Sequence, residues 1–172
     1  MSKLIVLRGN SGSGKSTLAK ELQKKFGRNT MIISQDMVRR EILKVNDGTM
    51  TEAVPLMQEL LMYGKKHSEI TILEGIMYAD WYQPLFECAV REFGDEIYAY
   101  YFVLPFEETL KRHQARSKCN SFGEEEMRGW WWEKDYIGFV KEEVITKGET
   151  LEDIVERVYR NITERGCIEK NN

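Results

Sequence analysis

The sequence predicts an α/β fold of three layers, a five-stranded parallel sheet with helices on both faces. Three observations predict it. Strand-length runs rich in apolar and β-branched residues alternate with segments of helical period from one end of the 172 residues to the other. The first run, Leu4-Ile5-Val6-Leu7, empties directly into a loop of glycines and small residues that opens a helix. The connections are long enough for crossover helices, as parallel strands require. The length fits one domain over residues 1–172.

The loop after the first strand carries the clearest chemistry. Gly9-Asn10-Ser11-Gly12-Ser13-Gly14-Lys15-Ser16 fits G-x-x-x-x-G-K-[ST], the phosphate-cradling P-loop. Triphosphate oxygens must be reached by several backbone N–H groups at once, and only small residues let the main chain come that close. Thr17 continues into a helix whose positive end faces the same phosphates. Lys15 is expected to reach the β- and γ-phosphates, and the Ser16 hydroxyl to ligate Mg²⁺. Leu18, Leu22 and Phe26 recur at helical spacing, and Gly27 is the stop signal.

Thr30 to Ser34 is the second strand and delivers Gln35-Asp36, after which Met37 to Leu43 takes up a helical pattern. Asp36, Arg39 and Arg40 stand at i, i+3 and i+4 and share a face. A carboxylate at a strand's carboxyl end is placed to meet a phosphoryl group or acceptor. Capping the helix is the other job open to Asp36. Asp47-Gly48 marks a turn. A helix follows with Leu56, Met57, Leu60, Leu61 and Gly64 along one stripe, and Met50, Met57 and Met62 read as core filling.

Ile70 to Leu73 is the third strand, ending in Glu74-Gly75. An acid at this place holds the metal of a P-loop enzyme, although Asp is the usual residue and a turn role is the alternative. Tyr78, Trp81, Tyr82 and Phe86 come next, in a segment read as helical up to Glu92. Tyr78 and Trp81 are expected either to stack on a flat acceptor or to pack the helix on the sheet.

Ile97 to Val103 is the fourth strand, and Pro105 stands at the first helical position after it. Phe106, Leu110 and His113 form the apolar stripe of that helix, with Arg112 and Arg116 one turn apart on another face. Two such arginines can clamp a phosphate chain or lie over a base; a solvated basic face is the alternative. Ser117 to Gly123 reads as a loop or lid tip, and Glu124 restarts a helix leading to Trp130-Trp131-Trp132. Three adjacent tryptophans cannot all face one core, so at least one is exposed, lies on a lid or touches ligand. Glu142 to Thr146 is the fifth strand, and Thr150 to Asp153 resembles a capping box before the last helix.

Composition narrows the class. Hydrophobic residues are 42% and charged residues 31%, with a formal net charge of −3. That balance does not advertise the basic face of a nucleic-acid binder. The three cysteines are widely spaced and form no C-x-x-C pair, so neither a disulfide framework nor a zinc site is indicated. The first strand begins at once and no apolar run nears the roughly 20 residues of a membrane span. A cytoplasmic protein is the expectation.

With these landmarks placed, the whole chain resembles the P-loop kinases of the nucleoside and nucleotide kinase superfamily. Gly12-Ser13-Gly14-Lys15-Ser16 looks like their Walker A ending, and Ser34-Gln35-Asp36 like the segment of uridine kinases whose Asp activates the acceptor hydroxyl. Leu73-Glu74-Gly75-Ile76 is similar to the E-G-I stretch after their third strand. An Asp followed by arginines also resembles polynucleotide 5′-kinase, zeta toxin and chloramphenicol phosphotransferase. Arg112 and Arg116 are similar to the R-x-x-x-R that opens the lid of adenylate kinase-like enzymes. The long β-hairpin with which uridine kinases hold the base is missing. Thr146-Lys147-Gly148-Glu149 imitates the GTPase N-K-x-D only poorly, which favours ATP.

The resemblance implies sheet order 2-3-1-4-5, a helical lid over residues 112–135, and transfer of the ATP γ-phosphoryl group with Mg²⁺. The acceptor is a hydroxyl of a small molecule, nucleoside-like, sugar or antibiotic. Lys15, Asp36, Arg112 and Arg116 are the catalytic candidates, Gly9 to Thr17 with Arg112 the nucleotide site, and Ser16 with Glu74 the metal site. Asp36, Arg39, Arg40, Tyr78 and Trp81 are the acceptor candidates. A polynucleotide 5′-hydroxyl kinase and a non-catalytic ATP-binding switch are the alternatives.

Overall fold

A computed structural model of the chain describes residues 2–115 and 123–168. Five parallel strands, β1 (Lys3–Gly9), β2 (Thr30–Ser34), β3 (Ile70–Gly75), β4 (Ile97–Val103) and β5 (Glu142–Thr146), form one sheet in the order β2-β3-β1-β4-β5. The expected order and all five strands are present. β1 lies at the centre, with Leu4 opposite Thr71 on one side and Ile97 on the other.

The apolar run of β1 is continuous because helices cover both faces of the sheet. Ile5 and Leu7 pack with Leu18 and Leu22 of α1 (Lys15–Phe26) and Val158 and Ile162 of α7 (Leu151–Ile168). Leu4 and Val6 pack with Met57 and Leu61 of α3 (Ala53–His67) and Leu85 and Phe86 of α4 (Gln83–Phe93). Two cores, one on each face, hold the carboxyl ends of β1, β2 and β3 side by side. Among the described residues no helix is long and apolar enough to cross a membrane.

Several local expectations are corrected. The helix expected from Tyr78 begins only at Gln83, with Pro84 in its first turn; Tyr78 to Tyr82 form a turn closed by Tyr82 N–H donating to Tyr78 O at 3.0 Å. Met50 is 94% exposed rather than core filling, and sits in a left-handed backbone turn (φ 65°) ahead of α3. The segment after β2 starts as a short helix, α2 (Gln35–Met37), and widens into a π-helical turn over Val38–Leu43. In α5 (Phe106–Gln114) the buried residues are Thr109 and His113, while Phe106 and Leu110 are half-buried. The reason is that α5 lies against the phosphate loop, where Thr109's backbone and Gly12 meet. A Cβ on Gly12, whose φ is +76°, would stand 2.6 Å from the Thr109 carbonyl oxygen, so this close approach demands glycine. The short helix α6 (Glu124–Gly129) follows. The capping box at α7 is present: the Thr150 hydroxyl donates to Asp153 Oδ2 at 2.7 Å and accepts from Asp153 N–H at 3.2 Å.

Candidate functional site

The phosphate loop leaves β1 at Gly9, which pairs with Phe102 of β4. Lys15 is buried and folded back over the loop, its ammonium donating to Asn10 O at 2.8 Å and Ser13 Oγ at 3.1 Å. A buried ammonium folded over a glycine-rich loop at a helix N-terminus is a site prepared for anionic oxygens. The Ser16 hydroxyl donates to Glu74 Oε2 at 3.1 Å, and Glu74 is 4% exposed at the end of β3. A hydroxyl and a carboxylate, both hard oxygen donors beside a phosphate site, suit Mg²⁺ in kind.

Arg112 of α5 reaches the same loop. Its Nη1 donates to Ser13 O at 3.0 Å and its Nε to Glu108 Oε1 at 2.8 Å. That guanidinium lowers the Glu108 carboxyl below its ordinary range, with Lys147 Nζ 3.7 Å from the other oxygen adding to the effect. Arg112 also walls a cavity of about 430 Å³ beside the loop, together with Thr17, Phe102, Thr150 and Leu151. The cavity has the volume of a small-molecule site, and its wall from the β5–α7 turn went unnoticed in the sequence, where Thr150 signals only a helix cap.

At the end of β2, the Asp36 carboxylate is 62% exposed and carries two ion pairs, to Arg39 Nη2 at 3.3 Å and Arg40 Nε at 3.3 Å. The shared face inferred from their spacing is thus real. Behind it lies a network the sequence did not announce. Asp47 Oδ1 accepts from Tyr82 Oη at 2.6 Å, its Oδ2 accepts from Gln35 Nε2 at 3.0 Å, and Gln35 Nε2 also donates to Tyr82 Oη at 2.8 Å.

A second unannounced network fixes the segment after α6. Arg8 of β1 is fully buried, donating to Met77 O, Asp135 O, Asp135 Oδ2 and the Glu142 carboxylate at 2.7–3.2 Å, with its guanidinium between the rings of Phe86 and Tyr101. Asn10 grips the backbone of Trp132, its Nδ2 donating to the carbonyl at 2.7 Å and its Oδ1 accepting the amide at 3.1 Å. Tyr78 is buried, its hydroxyl donating to Trp130 O at 2.6 Å and its ring against Trp81 and Trp132. Burial, with the Asp47 and Asp135 carboxylates nearby, pushes the Tyr78 phenol up to about 12. Trp130 and Trp132 are exposed, and Trp131 lies edge-on to Phe106.

The structure therefore gathers Gly9 to Thr17, Glu74 and Arg112 at the carboxyl edge of the central strands, with Asp36, Arg39 and Arg40 at the neighbouring end of β2. Arg116 and residues 117–122 of the expected lid lie outside the described residues.

The AAA domain family matches residues 4–128. No curated protein matches the sequence. Among solved structures, a gluconokinase from Sinorhizobium meliloti 1021 superposes with a TM-score of 0.69 at 14% identity, over 99% of this chain and 98% of its own. The Mycobacterium tuberculosis APS kinase in complex with AMPPNP and APS gives 0.63 at 15% identity, over 95% and 98%. The Deinococcus radiodurans tunicamycin resistance protein gives 0.62 at 14% identity, over 94% and 96%. These likenesses establish a P-loop kinase fold from end to end.

Proposed function

The chain belongs to the AAA domain family, and from that premise we propose that it is an ATP-dependent phosphotransferase, moving the γ-phosphoryl group to a hydroxyl of a small molecule. The acceptor is nucleoside-like, a sugar or an antibiotic. The observation that carries the reading is the Ser16–Glu74 contact at 3.1 Å beside the folded-back Lys15. A Mg²⁺–triphosphate site needs the lysine, the loop and this acid, and the base that a transferase adds to them is Asp36 at the end of β2. The kinases among the structural neighbours support it.

In this reading the loop amides and Lys15 position the phosphates, and Arg112, with Arg116, offsets charge on the phosphoryl in flight. Ser16 and Glu74 would hold Mg²⁺, which supplies charge neutralisation at the phosphates. Asp36 takes the proton of the acceptor hydroxyl. That oxygen bonds to the γ-phosphorus as the bond to the β–γ bridging oxygen breaks, and ADP leaves with the electron pair. Arg39 and Arg40 hold the acceptor, Tyr78 and Trp81 flank it, and the base of ATP occupies the cavity walled by Arg112, Thr150 and Leu151.

The test is an ADP-release screen over nucleosides, sugars, aminoglycosides and 5′-hydroxyl oligonucleotides, repeated with Asp36→Asn. Loss of transfer by ~10²–10⁴-fold with ATP affinity retained supports the reading. An oligonucleotide as best acceptor, with salt-sensitive activity, makes it a polynucleotide kinase instead. ATP binding with no ADP from any acceptor, and a silent Asp36→Asn, makes it a switch.

A further inference from the structure

Asp47 belongs to none of the groups just assigned, yet it accepts more hydrogen bonds at the acceptor end of the site than any of them. Its Oδ1 takes the Tyr82 hydroxyl at 2.6 Å and the Gly48 N–H at 3.1 Å, and its Oδ2 takes Gln35 Nε2 at 3.0 Å. Gln35 closes a triangle by also donating to Tyr82 Oη at 2.8 Å. Both neighbours are buried: Gln35 is 1% exposed and Tyr82 fully so. Burial first, and the Asp47 carboxylate second, push the Tyr82 phenol well above its ordinary value, so it stays a donor at any physiological pH.

The triangle sits on both sides of Asp36 in the chain. Gln35 is its immediate predecessor and packs so tightly on the end of β3 that a Cβ on Gly75 would lie 2.6 Å from Gln35 Cβ. Arg39, its ion-pair partner, has Nε 4.0 Å from Asp47 Oδ2, and that Nε is buried with no hydrogen-bond partner of its own. The exposed Asp36 carboxylate is directed by two ion pairs, to Arg39 and to Arg40, and Asp47 stands beside the first of them. Asp47 thus contacts both the residue before Asp36 and one of its two ion-pair partners.

We propose that Asp47, anchored by Tyr82, is a positioning residue that sets the direction of the Asp36 carboxylate through Gln35 and Arg39. The inference rests on the phosphotransferase reading, in which Asp36 takes the acceptor's proton. Misaiming a general base without removing it costs part of the ~10²–10⁴-fold that such a base supplies.

The experiment is a double-mutant cycle on the full chain, Asp47→Asn against Asp36→Asn, followed by release of label from γ-labelled ATP to reach the slow residual rates. The acceptors are water and the best compound of the ADP-release screen. With Asp36 present, Asp47→Asn should lower kcat roughly tenfold or more, with the KM for ATP within twofold. In the Asp36→Asn background the same change should cost less than twofold. Tyr82→Phe, which keeps the ring and removes one donor, should follow the same pattern at smaller size and stands in if Asp47→Asn does not fold. A loss of equal size in both backgrounds, or a kcat within twofold despite a lowered melting temperature, overturns the proposal and leaves Asp47 a structural brace. A silent Asp36→Asn with no transfer to any acceptor overturns the phosphotransferase reading itself, and a silent Asp36→Asn with transfer intact removes Asp36 as the base; both differ from the loss of Asp47's role alone.

Discussion

The side chain of Asn10 and the backbone of Trp132, 122 positions apart, are joined by two hydrogen bonds in opposite directions, at 2.7 and 3.1 Å. One position of the phosphate loop therefore anchors the segment that follows α6. Asn10→Ala should leave the Trp132 amide and carbonyl without these partners in a part-buried place, at ~1–3 kcal/mol. A lowered denaturant midpoint together with red-shifted tryptophan emission would verify it; an unchanged midpoint would mean water replaces the amide at no cost.

Arg8 makes the stronger case. Replacing it with Met would strand the Glu142 carboxylate, whose side chain is 1% exposed, and Asp135 at 12%. Breaking a buried pair from one side costs about 3–5 kcal/mol, against a total stability of roughly 5–15. Arg8→Lys should not rescue it, because a single ammonium cannot span carbonyls and carboxylates that a planar fork reaches at once. Urea titration of both variants tests this, and a lysine variant of near-native midpoint would refute it.

Gly64 faces Thr71 across the contact of α3 with β3, and a Cβ there would run into the Thr71 hydroxyl and come within 3.1 Å of its Cγ2. Alanine gains ~1 kcal/mol of helix propensity, but a stiff β-branched neighbour on a central strand makes the clash worth ~1–3 kcal/mol. Gly64→Ala should therefore destabilise. Adding Thr71→Ala opens the space and should return most of the loss, which thermal melts of the two single variants and the double variant would reveal as non-additivity.

Alkali should unfold the protein through its buried phenols. Tyr78 and Tyr100 are each pushed up to about 12, chiefly by burial. The folded state keeps those protons when the unfolded chain, titrating near 10, has lost them. Their contribution is thus fully present below pH 10 and is lost as pH rises from 10 towards 12, on the order of 2–3 kcal/mol per phenol. Tyr100→Phe should flatten that limb of the stability curve, followed by denaturant midpoints between pH 9 and 12.

Glu74→Gln keeps the shape of the residue against Ser16 and removes the charge. The half-saturating Mg²⁺ concentration for ADP release should rise about 10–100-fold, and chelation should abolish release in the native protein. An unaltered Mg²⁺ curve would remove Glu74 from the metal site.

What the sequence disclosed and what it hid divide by range. Five strands and the phosphate loop were legible because apolar period and a contiguous motif are local signals. Asp36, Arg39 and Arg40 were legible as a face because three and four residues make one helical turn. The carboxylate partners of Arg8 and the Trp132 partner of Asn10 lie more than a hundred positions away, and no local pattern can pair residue 8 with 135 or 10 with 132. Asp47 looked like a plain turn because its work is done by Tyr82, 35 positions on. The late start of α4 at Gln83 was missed because the aromatics of Tyr78 to Tyr82 imitate a helical stripe while serving a turn.

The central place of β1 carries a consequence for synthesis. β1 pairs with residues 70–75 and 97–102, so during synthesis it must wait for both of those later segments before its two edges are covered. The cation at position 8 waits longer still, since its carboxylate partners are at 135 and 142. A nascent chain halted short of Asp135 would hold a charge in its would-be core with neither carboxylate to answer it, a state that should bind chaperones and degrade rather than accumulate. Residues 135 and 142 thereby complete a core that residue 8 leaves open.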